Sequence, residues 1–299
     1  MHTLKAGGFR EEEIMLLGFY AGASGLLYNE QRQAVTASNL ANVDTTGFRR
    51  STLVLRSRRH EGKNIHFDRD VRERNPSVYG IEKNGVHKVY KETGRLKSTD
   101  NPLDIAIPSD LKNAFFKVKK AGLQDPNTYY TRNGTLSLGL LDPANPESST
   151  VLYLGGHVAI DHGGSPMEVN PAGGSFRVEE NGLVRQGDAI VGELPIYRFN
   201  KSNNPAFIED ANLQQLSQYG GSLFGISEGA KNEMFPMRLE AGVDGVRKLV
   251  KQGVREESNV NPISELVHMM ESSRSFNSNA MAMTTQAEGL NKLFQIIRS

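Results

Sequence analysis

The 299-residue chain has no cysteine, which excludes disulfide staples and thiolate metal sites. Net charge is almost absent, with 35 Lys+Arg against 34 Asp+Glu, so no global field draws the protein to nucleic acid or to an anionic membrane. No apolar run approaches the roughly 20 residues that span a bilayer, and membrane insertion is not expected. A secretory leader is not expected either. Met1 to Glu13 is polar, and Glu11, Glu12 and Glu13 stand where Lys or Arg would precede an apolar stretch. Residues 1–14 read as a disordered tail or an over-extended start. If the protein leaves the cytoplasm, it does so by a route that does not read such a leader.

The most informative residues lie at the two ends. Leu266, Met269, Ser273, Phe276, Ala280, Met283, Ala287, Leu290, Phe294 and Ile297 step by three and four without a break, as a heptad seam does. Leu16, Phe19, Tyr20, Ala23, Leu26, Leu27, Ala34, Ala37 and Ala41 form a second apolar stripe. The helix carrying it is expected to end near Asn42, where Asp44-Thr45-Thr46-Gly47 supplies turn formers. The C-terminal helix has a legible start, with Asn261 as N-cap, Pro262 at the first helical position and Glu265 in the first turn. From Pro262 to Ile297 it would run roughly 54 Å, too long for the middle of the chain to cover, so its seam needs a partner. The N-terminal helix is the first candidate and neighbouring subunits the next. Asn39 and Asn42 sit one turn apart; they are either solvated caps or, in the sharper reading, amides that bond across a helix interface and fix its register.

Between the ends the text changes. Short apolar runs at Leu103–Ile107, Phe115–Val118, Val151–Leu154 and Gly192–Phe199 alternate with turn signals such as Asn84-Gly85, Asn133-Gly134, Gly155-Gly156 and Asn181-Gly182. No helical pattern separates these runs, which disfavours a parallel sheet. The expected fold class is therefore α+β: long N- and C-terminal helices forming a coiled-coil assembly domain around a mostly antiparallel β domain. The expected segments are an N-terminal helix at 15–47, an extended linker at 48–76, the β domain at 77–240, a return linker at 241–261 and the C-terminal helix at 262–299.

Signals for chemistry are weak. His157, Asp161 and His162 could ligate zinc by type, but no helix fixes their faces. Asp100, Asp104 and Asp110 suggest a carboxylate pair, yet Asn101-Pro102 and Pro108 favour turns. Ser222 lacks the spacing of a nucleophile elbow, and nothing resembles a phosphate or dinucleotide loop. No cofactor or metal is implied. The run Arg49, Arg50, Arg56, Arg58 and Arg59 has no interleaved aromatics and reads as linker before nucleic-acid patch. A secreted β-fold enzyme with an oligomerising helix remains the rival from another class.

Ala34-Val35-Thr36-Ala37-Ser38-Asn39-Leu40-Ala41-Asn42-Val43-Asp44-Thr45-Thr46-Gly47-Phe48 resembles the N-terminal signature of the flagellar rod and hook axial proteins. Glu257-Ser258-Asn259-Val260-Asn261-Pro262 is similar to their C-terminal signature. Thr99–Ile107 and Tyr130-Thr131-Arg132-Asn133-Gly134 resemble motifs of the β domain in rod members. Thr36-Ala37-Ser38-Asn39 and Asn261-Pro262 look closer to the proximal-rod branch than to the distal-rod branch. The chain departs from the rod pattern at Pro108–Ala114, which intervenes before Phe115-Phe116. The resemblance implies a non-enzymatic subunit of the basal-body rod that crosses the periplasm. It implies export through the flagellar type III apparatus and assembly with itself and with other rod and hook subunits. The terminal helices would order on assembly, and Leu26, Leu27, Asn39, Leu40, Asn42, Leu266, Phe276, Met283, Leu290, Phe294 and Ile297 would form the assembly interface.

Overall fold

A computed structural model describes residues 11–53, 56–57, 81–82, 86–88, 92–120, 128–200, 216–226, 235–240 and 248–298; side chains are described from residue 22 onward, apart from 56–57, 81–82, 86–88, 293–294 and 296–298. The chain is α+β and divides into two compact units. One comprises Met1–Leu40, Ser51–His87 and Pro262–Ser299, the other Ala41–Arg50 and Lys88–Asn261. Asn84-Gly85, Arg58, Arg59 and most of the expected linker lie outside the described residues.

The first unit contains both long helices, α1 (Glu11–Ala41) and α2 (Pro262–Arg298). Helix α1 is already formed at Glu11, the first described residue, ahead of the apolar pattern. Helix α2 starts at Pro262 with Glu265 in its first turn, as its sequence predicts.

The second unit is built on a nine-stranded sheet whose pairings are all antiparallel. Its centre is Ala114–Lys119, which pairs with Thr128–Thr131 on one edge. The other edge is shared by His157–Ala159 and Ile196–Asn200. Alternation along these strands buries both faces. Phe116, Val118, Tyr129 and Leu223 join Ile105, Leu152, Leu154 and Ile196 in the larger core. Their neighbours Phe115, Tyr130 and Phe224 pack with Phe199 and Leu216 on the opposite face. There the rings meet edge-on or tilted, Tyr130 to Phe199 at 4.8 Å and Phe115 to Phe224 at 5.7 Å. A three-stranded meander, Phe176–Val178, Leu183–Gln186 and Ala189–Glu193, completes the unit. Its first turn is the expected Asn181-Gly182, with Asn181 Oδ1 accepting the Leu183 N–H.

Residues 251–256, expected within a return linker, are strand-paired. Lys251–Gln252 pairs with Ile105–Ala106, and Val254–Glu256 with Leu96–Ser98. The left-handed Gly253 (φ 73°) separates the two ladders. Six residues with one glycine carry too little periodicity to read as strand, and their pairing partners lie some 150 residues away in sequence.

Candidate functional site

The two helices run antiparallel, and the contacts between them fix their register. Asn29 Nδ2 donates to Ser275 Oγ at 3.1 Å, Arg32 pairs with Glu271 at 3.1 Å, and Asn39 Nδ2 donates to Glu265 Oε2 at 3.1 Å. Further along, Gly22 faces Met283 and Gly25 faces Asn279, so close that a Cβ on either glycine would lie 2.8 Å from the opposing side chain. The face of α1 turned to α2 is thus Gly22, Gly25, Asn29, Arg32 and Asn39, a polar and small-residue seam. Small residues let the backbones approach, and the amides then bond at short range.

On α2 the covered positions repeat every seven residues in two rows. Met269, Phe276, Met283 and Leu290 are half-buried. The other row is polar: Glu265 and Ser272 are buried, at 1% and 0% exposure, while Asn279 and Gln286 are half-buried. The apolar residues of the sequence seam divide accordingly. Phe276, Met283 and Leu290 lie on the covered face, whereas Leu266 is 47% exposed. On α1, Leu26 and Leu40 are half-buried, Leu27 is 47% exposed, and Ala34, Ala37 and Ala41 are exposed. The side chains of Phe294 and Ile297 lie outside the described residues.

Asn39, at the C-terminal end of this seam, is 1% exposed. Besides Glu265, its Nδ2 donates to Ser51 O at 2.8 Å, and its Oδ1 accepts the Ser51 N–H at 2.9 Å. The amide pairs with the Ser51 backbone as a neighbouring strand would, while holding the carboxylate that opens α2. Asn42, by contrast, bonds at the helix end, its Oδ1 accepting from Thr45 Oγ1 at 3.1 Å. Substituting Asn39 by Ala strips buried groups of three bonds and is expected to destabilise the hairpin by about 1–3 kcal/mol. Accelerated hydrogen exchange at the Ser51 amide measures this; unchanged protection there refutes the role.

In the β unit the resemblance-bearing segments converge on one buried charge. Glu256 is 1% exposed, and the side chains of Arg49 and Arg132 are fully buried. Arg132 reaches Glu256 Oε2 through Nε and a terminal nitrogen, both at 2.7 Å. Arg49 lies 3.6 Å from Oε1, which also accepts the Gly94 N–H at 3.1 Å. Two guanidinium groups against one carboxylate leave excess positive charge, and carbonyl dipoles offset it. Arg132 donates to Leu111 O and Ala114 O at 2.8 and 2.7 Å, and Arg49 to Lys112 O at 3.2 Å and over the Phe115 ring at 5.7 Å. The segment that departs from the rod pattern, Pro108–Ala114, is therefore the one that solvates the arginines.

The backbone closes the same knot. Glu256 O accepts the Gly47 N–H at 2.8 Å, and Asn259 Oδ1 accepts the Arg50 N–H at 2.6 Å. Gly47 has φ 69°, and a Cβ there would sit 2.5 Å from the Arg132 and Asn133 backbone, so only glycine fits. The residues flanking both terminal helices are tied to each other within the β unit.

Residues 19–49 match the family described as flagella basal body rod protein, and residues 251–296 match flagellar basal body rod FlgEFG protein C-terminal. The flagellar basal-body rod protein FlgF of Mesorhizobium japonicum is 26% identical over 280 residues, spanning 94% of this chain and 97% of its own length. FlgG of Buchnera aphidicola subsp. Schizaphis graminum is 26% identical over 287 residues, spanning 94% and 100%. Both chain ends thus match rod-family segments, and the chain is similar to flagellar basal-body rod proteins over most of its length. FlgF of Salmonella typhimurium is 27% identical over 279 residues, spanning 92% and 95%. Relatives named FlgF and FlgG thus stand at similar distance. The two matched segments contain the hairpin seam from Gly22 to Asn39, the α2 rows, Arg49 and Glu256; Arg132 lies between them.

The groups considered for chemistry do not converge. His157 opens a strand, its pKa lowered by burial and by nearby Lys120. Asp161 closes a turn, its Oδ1 taking the Ser165 N–H at 2.8 Å, and His162 is exposed. Among the described residues no three His, Cys, Asp or Glu side chains are grouped to hold a metal. Asn101 Oδ1 caps the Leu103 N–H as a turn former does. Of the basic run, Arg49 is buried on Glu256 and Arg50 is half-buried, while the side chains of Arg56, Arg58 and Arg59 lie outside the described residues. Among the described residues no helix is long and apolar enough to cross a membrane. Sequence reasoning missed Arg49, Arg132 and Glu256 as a cluster; the available signal was that all three lie in or beside the rod-like segments.

Proposed function

We propose that this chain is a structural subunit of the bacterial flagellar basal-body rod, in its proximal part, and that its terminal helices pack with those of neighbouring subunits as a coiled-coil layer of the shaft. The observation that carries the reading is the pairing of the two chain ends, 19–49 and 251–296, which are the two rod-family segments and form one antiparallel hairpin. Phe276, Met283, Leu290, Phe294 and Ile297 of α2 and Leu26, Leu27 and Leu40 of α1 supply apolar contact in that layer, and Asn39 sets register. The Arg49–Glu256–Arg132 knot suits a shaft that transmits torque, because it resists separation of the two chain segments that flank the helices. Thr36-Ala37-Ser38-Asn39 and Asn261-Pro262 favour the proximal branch. Export runs through the flagellar type III apparatus, and the partners are other rod and hook subunits.

Electron microscopy of basal bodies from cells lacking the gene tests this. A rod truncated near its base, with no hook, is the expected result. A long stump would move the subunit to the distal rod, a complete rod lacking only its hook would move it outward, and normal flagella would overturn the reading.

A further inference from the structure

The hairpin exposes two faces of opposite character. On α2, Ile263, Val267, Met270 and Met281 are 74, 43, 54 and 71% exposed, and they share one helical stripe with exposed Arg274, opposite the covered rows. On α1, Leu27, Glu30, Ala34, Ala37 and Ala41 are exposed on the stripe opposite Asn29 and Asn39. One stripe is large and apolar with a single cation between Ile263 and Met281. The other is mostly alanine with a single anion. Neither Glu30 nor Arg274 has an ion-pair partner among the described residues.

Laid together antiparallel, in the register that pairs Asn29 with Ser275 and Asn39 with Glu265, the two stripes match over four consecutive positions, from Ile263 to Arg274. Ala41 opposes Ile263, Ala37 opposes Val267 and Ala34 opposes Met270, so each large side chain meets the smallest one. At the next step Glu30 opposes Arg274. A single chain cannot make this contact, because each stripe faces away from its own partner helix.

We propose that α1 of a second copy of this chain docks on the exposed α2 stripe, antiparallel, with Glu30 and Arg274 paired across the contact. The inference rests on the rod reading and names the contact by which subunits would meet. The two surfaces differ, so the contact is heterologous and repeats without closing, which is how a subunit builds an open helical array. Apolar burial at Ile263, Val267 and Met270 supplies affinity, and the charge pair disfavours slipped registers.

The cysteine-free chain makes the test direct. Copies carrying Ala37→Cys and copies carrying Val267→Cys, produced together in a deletion strain, should give a disulfide-linked dimer in oxidised basal bodies. Ala37→Cys with Thr285→Cys, roughly 27 Å further along α2, should give none. In parallel, Glu30→Arg and Arg274→Glu should each reduce swimming at least twofold, and the double reversal should restore it. Absence of the mixed dimer, equal linking at Thr285, or a double reversal no better than either single one overturns the contact while leaving the rod reading intact. Absence of the unmodified chain from purified basal bodies would overturn both.

Discussion

Replacing Glu256 by Gln is expected to destabilise the β unit by about 3–5 kcal/mol, the cost of leaving buried charge without its counter-ion. Arg49 and Arg132 have no water to turn to, since both side chains are fully buried. The carbonyls of Leu111, Lys112 and Ala114 offset part of the charge but not two guanidinium groups. An amide is close in size to the carboxylate, so the loss is electrostatic and not a matter of packing. Its NH2 end would also point at donors. Urea unfolding of the purified chain reads the shift directly, and a change below about 1 kcal/mol would show that the arginines do not depend on Glu256. The triple change of Glu256, Arg49 and Arg132 to apolar residues is expected to recover much of the loss, because removing a whole buried cluster avoids the unpaired state.

Phe276→Asp is expected to abolish rod assembly and swimming while the β unit stays folded. Phe276 lies on the covered face of α2, in the row with Met269, Met283 and Leu290, and a carboxylate there would be held against an apolar row without a partner. The β unit has its own cores around Phe116 and Phe115 and includes no residue of α2. Leu290→Asp should behave alike. An unchanged urea midpoint with loss of swimming is the expected pair of results. Normal swimming of either variant would refute a role for this row in assembly, and a lowered midpoint would show that α2 supports the β unit.

The legible part of the fold was the part written in local periodicity. The α2 start at Pro262, the β character of the middle and the turn at Asn181-Gly182 each rest on a few neighbouring residues. The choice of helix face did not. The rows beginning at Glu265 and Leu266 differ by one residue, and hydrophobicity favours the second, yet Glu265 is buried and Leu266 is not. What decides is α1: Gly22 and Gly25 admit Met283 and Asn279 closely, and Asn39 binds Glu265. A one-helix pattern cannot contain that information.

The charge knot shows the same limit. Arg49 reads as a linker cation because its neighbours are basic and its counter-ion lies more than 200 residues away. The sequence by itself determined that this chain is two long helices around an antiparallel β middle, with family-bearing segments at both ends, because helix, strand and turn preferences act over a few residues. Only the tertiary structure decided which faces meet, that Asn39 is a buried hub, and that Arg49, Arg132 and Glu256 form one cluster. Those facts depend on desolvation and on geometry between distant segments, which no local pattern encodes.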